Sequence, residues 1–179
     1  MLEDIDQLSF QIHLDNVKAG WWDNPHECLY QKMQLISTEI AEATEGARKD
    51  LMDDHLPHRK MEEVELADTL IRVLDLGGKL NLTVAERRET HYYCHTLNTK
   101  GQQHLGLTEC LIKLASIYDG DHSPAGLNRA YTDLITNILT VADNAGYCLQ
   151  DAVSEKLAYN KQRADHKQEN RNKEGGKKF

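Results

Sequence analysis

Apolar positions recur every three or four residues through most of the chain, and strict two-residue alternation is scarce. The clearest stripe is Leu29, Met33, Ile36, Ile40, Ala43 and Ala47, stepping by four and three. It predicts an amphipathic helix over about residues 26–49, with Asn24 as a cap and Pro25 at a first helical position. A second stripe, Val64, Ala67, Leu70, Ile71 and Leu74, predicts a helix over about 58–76, stopped by Gly77-Gly78. A leading helix is expected over about 5–19, ending at Gly20. Further helices are expected over about 108–118, ended by "DGDHSPAG", and over about 127–144 on Ala130, Leu134, Ile138 and Val141. "LQDAVSEKLAYNKQR" reads as the last helix before the "EGGKKF" tail. Between residues 82 and 106, "VAERRETHYYCHTL" is compatible with helix, whereas "NTKGQQHLG" reads as loop. Helices on short links imply an all-α antiparallel bundle.

Composition narrows this further. With 179 residues, a predominance of alanine, leucine and charged side chains, and only three prolines, one helical domain over residues 1–166 is expected. Residues 167–179 form a basic tail. The net charge of −8 is uneven: residues 161–179 hold seven Lys/Arg against Asp165, Glu169 and Glu174, so residues 1–160 carry −12. An acidic body argues against nucleic-acid binding, and a short mixed-charge tail reads as a solvated end. Cys28, Cys94, Cys110 and Cys148 form no Cys-x-x-Cys pair. No apolar run approaches a membrane span, and "MLEDIDQLSF" lacks the features of a signal peptide. The expectation is a cytoplasmic protein with reduced thiols and no membrane partner.

The candidate chemistry lies in "STEIAEATEGARKD". At about 100° per residue, Glu39 lies roughly 80° from the centre of the apolar stripe, Glu42 roughly 140° on the same flank, and Glu45 roughly 160° away. Glu39 therefore borders the core, Glu42 leans outward beside it, and Glu45 faces solvent. The next helix repeats the device with Glu65 and Asp68 three apart, and Arg72 one turn beyond Asp68. If the two flanks face each other, four carboxylates converge. Uncompensated, they repel one another and their pKa values rise; a hard divalent cation removes that penalty. With no His or Cys in either pair, zinc is disfavoured. The bland alternative is two solvated Glu-rich faces with an ordinary Asp68–Arg72 ion pair.

Glu39-x-x-Glu42, twenty-two residues, then Glu65-x-x-Asp68 resembles the Glu-x-x-Glu…Glu-x-x-Asp signature of the MazG-like branch of the all-α NTP pyrophosphatases. "KMQLISTEIAEATEGARK" and "VELADTLIRVLDL" are similar to that family's second and third helices, and "AVSEKLAYNKQR" to its phosphate-contacting segment. The likeness covers about residues 27–80 and, more loosely, 149 onward; the middle, 82–148, is divergent and reads as a helical or loop insertion. The resemblance implies the all-α NTP pyrophosphatase fold and hydrolysis of a nucleoside or deoxynucleoside triphosphate between the α and β phosphates. It implies that Glu39, Glu42, Glu65 and Asp68 are catalytic and hold Mg²⁺, with Mn²⁺ as a substitute. It makes Lys156 and Asn160 phosphate contacts, and it implies a homodimer or homotetramer.

Arg163 continues the Lys156–Asn160 face at i+7, and Lys32 lies one turn before Ile36; both are candidate substrate contacts. Against this, Lys156 pairs as readily with Asp151 or Glu155 on a solvated face, and Asn160 suits a helix end. Trp22 or Trp21 is a candidate platform for a base, although aromatic residues at helix junctions are more often anchors. His91 and His95 are four apart but have no third ligand nearby. The non-enzymatic alternative is an acidic helical protein that binds a basic partner.

Overall fold

The computed structural model describes residues 5–23, 29–84, 99–120, 123–171 and 173–176. Six long helices follow in order: α1 (Ile5–Lys18), α2 (Leu29–Lys49), α3 (Met61–Leu80), α4 (Lys100–Asp119), α5 (Pro124–Ala145) and α6 (Leu149–Gln162). A 3-10 turn (Ala164–His166) and a short α7 (Gln168–Arg171) follow. Among the described residues there is no sheet, only an isolated bridge between Met52 and Lys60 in the α2–α3 connection. The fold is all-α.

The helix α3 is the axle. Fourteen of its twenty residues are buried, so it is covered nearly all round, unlike a surface helix with one apolar stripe. It is packed by α1, α2, α5 and α6, while α4 closes on α2 and α5. Buried side chains from every one of these helices form one continuous core, including Ile36, Ile40, Leu70, Leu74, Leu107, Leu134 and Val153.

Two neighbours meet α3 antiparallel. A Cβ on Gly46 near the end of α2 would collide with Met61 and the Glu62 amide at the start of α3, while Glu39 reaches Arg72 further along. Ser9 of α1 donates to the Leu74 carbonyl and Asp6 accepts from Val84 N–H. The α2–α3 connection is itself ordered by Asp53. Its buried carboxylate accepts from the His55 and Leu56 amides at 2.9 and 2.7 Å.

Three helix limits differ from those expected. Gly77-Gly78 does not stop α3, which starts at Met61 and ends instead at Asn81 in the left-handed conformation, φ 52°. The glycines serve close approach: a Cβ on Gly77 would collide with the Tyr131 ring of α5, and one on Gly78 with His13 and the Ser9 carbonyl of α1. The α4 helix begins at Lys100, so most of "NTKGQQHLG" is helical. Thr99 and Gln102 form a reciprocal capping box that satisfies the first amides. The α5 helix begins at Pro124 behind Ser123, whose hydroxyl accepts from the Gly126 amide. The divergent middle thus supplies the α4–α5 pair; its residues 85–98, with His91, His95 and Cys94, lie outside the described residues. So do Asn24, Pro25, His26 and Cys28, and the described α2 starts at Leu29. No described helix is long and apolar enough to cross a membrane.

Candidate metal and ligand site

The α2–α3 packing turns the flank of each helix toward the other. Carboxylate oxygens of Glu39, Glu42 and Glu65 lie within 4.8 Å of one another. Glu39 and Glu65 are buried, at 6% and 7% exposure, whereas Glu42 is exposed. This follows from angular position: Glu39 is nearer the stripe than Glu42. Glu45, on the far side, pairs with Arg48 and Lys49 in solvent.

Asp68 sits beside this trio, held by the Lys156 ammonium at 2.9 Å. Lys156 is 2% exposed and is among the largest fully buried side chains. It does not pair on its own helix with Asp151 or Glu155; Glu155 binds His58 and Arg59 instead. Arg72 reaches across to α2, its Nε donating to Glu39 Oε1 at 2.7 Å. Four carboxylates therefore meet two cations, which leaves two negative charges for something else to balance.

The electrostatics record that excess. Burial, reinforced by Asp68 and Glu39, pushes the Glu65 carboxyl up to about 9, and a hydrogen bond to Glu39 favours its protonated form. Burial also raises Asp68, against the lowering effect of Lys156. Glu42 is raised by partial burial and then by Glu39. For Lys156, burial disfavours the charge, but Asp68, Glu65 and Asp53 more than reverse this and its pKa is raised. Without a further cation, the trio holds a proton at neutral pH. The donor set fits a hard divalent ion: all ligand atoms are carboxylate oxygens, close together, in a deficit of positive charge.

The four carboxylates, Lys156 and Arg72 line one cavity of about 1190 Å³. Its walls also carry Lys32, Asn160 and Arg163, so every residue singled out for substrate contact opens onto the same space. Asn160 Oδ1 is buried without a hydrogen-bond partner among the described residues. Arg163, the C-cap of α6, lies over the Tyr159 ring at 5.8 Å. Lys32 donates to the Trp21 carbonyl at 3.1 Å and sits 4.8 Å from the Trp22 ring centre.

The cavity also has an aromatic and apolar lining, with Trp21, Trp22, Leu8, Ile12, Leu35 and Ile71. Buried Asp75 of α3 anchors it, accepting from His13 Nδ1 and Asn16 Nδ2 at 2.8 Å and from Trp22 Nε1 at 3.1 Å. Neither Asp75 nor Asn16 is conspicuous in the sequence, because their partners lie about sixty residues apart. His55, stacked at 4.8 Å on Tyr159 and lining the cavity, is likewise unmarked by any motif. Lys156 did carry a signal: Leu149, Ala152, Val153 and Lys156 follow one buried helical register, so the lysine stands where an apolar residue belongs.

Comparison with known proteins identifies no relative: no protein-family model, no curated protein and no solved structure matches this chain.

Proposed function

We propose that this protein hydrolyses a nucleoside or deoxynucleoside triphosphate at the α–β phosphate bond, in a Mg²⁺-dependent reaction giving monophosphate and pyrophosphate. The observation that carries the reading is the trio Glu39, Glu42 and Glu65, with oxygens within 4.8 Å of one another, at the edge of a cavity that also holds Lys156, Asn160 and Arg163. The sequence resemblance to the MazG-like NTP pyrophosphatases supports it and supplies the reaction class and the finer fold type.

In this reading Glu39, Glu42 and Glu65 hold the ion and Asp68 completes the acidic wall. When bound, Mg²⁺ neutralises the triphosphate and activates water. The chain's own groups do the rest. Lys156 and Arg72 hold Asp68 and Glu39 in fixed orientations, which limits the rearrangement to loss of the proton held between Glu65 and Glu39. Asn160 lines the cavity, where its Nδ2 would donate to a phosphate oxygen, while Lys32 and Arg163 add positive charge around a polyanion. The aromatic lining offers Trp21 or Trp22 to a flat ring.

A basic protein partner for the acidic faces is disfavoured, because Glu39 and Glu65 are buried and face inward. The same proposal includes a cytoplasmic setting and a homodimer or homotetramer. Exposed apolar pairs seven residues apart, Phe10 and Val17 on α1 and Leu105 and Ile112 on α4, are the available contact faces. A monomeric mass by light scattering would remove the oligomer from the proposal. The decisive experiment is pyrophosphate release from a panel of ribo- and deoxyribonucleotides with Mg²⁺. Glu42→Gln and Asp68→Asn should lower turnover by at least about 10²-fold while circular dichroism stays native. Unaltered Mg²⁺-dependent turnover in both variants would refute the site.

A further inference from the structure

The basic segment after α6 was expected to trail into solvent, yet Arg171 is only 8% exposed. Its guanidinium lies 3.9 Å from the Trp21 ring centre and donates to the Gly20 carbonyl at 3.2 Å and to the Ala19 carbonyl. Carbonyls at the end of a helix lack intrahelical donors and carry partial negative charge, so a cation there satisfies both needs for the end of α1. His166 adds an edge-on contact to Trp21 at 5.4 Å.

The other ties of the segment are local: Asn170 Nδ2 donates to the Ala164 carbonyl at 2.7 Å, bridging α7 to the 3-10 turn, and Arg163 lies over Tyr159 of α6. Extended residues at Arg163 (φ −66°, ψ 126°) and Lys167 (φ −71°, ψ 134°) flank the 3-10 turn and separate it from α6 and α7. Lys161–Asp15, at 3.3 Å between largely exposed groups, adds little. Between the two anchored ends, Arg163, His166 and Lys167 line the cavity together with Glu169.

We propose that residues 163–171 are a latched strap forming one wall of the cavity, with Arg171 as the latch and His166 and Lys167 as additional contacts to an anionic ligand. The strap swings as one piece about the extended Arg163 joint when Arg171 leaves Trp21, and a ligand bridging the acidic trio and the strap holds it shut. The choice of an anionic ligand rests on the proposed function; the latch itself does not.

Trypsin reads the strap directly, through cleavage after Lys161, Arg163 and Lys167 followed by mass spectrometry. Without ligand, Arg171→Ala should be cut there about tenfold faster than wild type, with unchanged helical dichroism. Arg171→Lys, which keeps the charge but not the planar stack, should fall between them. Trp21 emission should shift red in Arg171→Ala; only two tryptophans are present, so the change is readable. Inorganic tripolyphosphate with Mg²⁺ is the ligand probe, with MgCl₂ alone as control. It should protect the wild-type strap, and Lys167→Gln, which retains Arg171 and His166 on Trp21 and is compared at the Lys161 and Arg163 sites only, should need several-fold more for the same protection. Wild-type cleavage rates in Arg171→Ala would overturn the latch, and strap cleavage indifferent to tripolyphosphate would overturn the ligand contact. Failure of every nucleotide to release pyrophosphate would sink the catalytic reading alone, since protection by tripolyphosphate would still stand.

Discussion

Replacing Glu65 by glutamine removes the most perturbed carboxyl of the acidic trio at almost constant volume. In the folded protein, burial and the neighbouring Asp68 and Glu39 raise this group from 4.5 to about 9. Between those two pH values the native state keeps a proton that the unfolded chain has released. Stability must therefore fall as pH rises through the window, at up to about 1.4 kcal/mol per unit for a single group. From pH 6 to pH 8, wholly inside the window, the loss is on the order of 3 kcal/mol, or roughly 6–12 °C in Tm for a chain of this size. Glutamine cannot titrate, and at 7% exposure the site is shielded from solvent screening. The measurement is thermal or urea unfolding in EDTA at pH 6, 7 and 8 for wild type and Glu65→Gln. The wild-type-minus-variant difference should become more unfavourable to wild type with each unit, since histidines and surface groups common to both chains cancel. Adding Mg²⁺ should stabilise wild type more at pH 8 than at pH 6, because the ion displaces the retained proton. A pH-independent difference in EDTA would refute the account of Glu65 as a crowded, proton-holding carboxyl.

Lys156→Met should cost up to about 3–5 kcal/mol in urea unfolding, because it leaves the half-buried Asp68 beside Glu39 without its cation. Asp68→Asn on that background should recover part of the loss, which a double-mutant cycle measures. Glu62 answers to the opposite pH sign. Its buried carboxylate accepts from Lys100 and Tyr147 at 2.7 Å and from His104 at 3.1 Å, and although burial opposes the charge, these donors hold it down to about 2. The stabilisation is present above the unfolded value of 4.5 and is lost as pH falls toward 2. The stability gap between wild type and Glu62→Gln should therefore shrink by about 3 kcal/mol between pH 5 and pH 2, and a constant gap would contradict the network.

The glutamates show where sequence reading succeeds and where it stops. Their spacing against the stripe Ile36, Ile40 and Ala43 already ranks Glu39 as inward, Glu42 as outward and Glu45 as exposed, because a helix converts sequence number into angle. The same periodicity, with Gly146 between them, makes the helices near residues 127–144 and 149–163 legible, although α5 already starts at Pro124 inside "SPAG". What it could not show was any relation between distant segments. Gly77-Gly78 has the composition of a stop, but Tyr131 and His13 need the missing Cβ atoms, so the helix passes through. Arg72 is one turn from Asp68 in sequence and yet spans to Glu39 on another helix. Arg171 looks like part of a soluble tail until α1 ends beside it.

Local propensity and period set which residues form helices and which face each helix turns inward, since both depend on neighbours three or four positions away. Tertiary packing alone decided that two acidic flanks meet, that a lysine is buried to answer one of them, and that the last turns fold back across the cavity. Those choices depend on the balance of charge and volume among segments up to about 150 residues apart, and no local pattern encodes that balance.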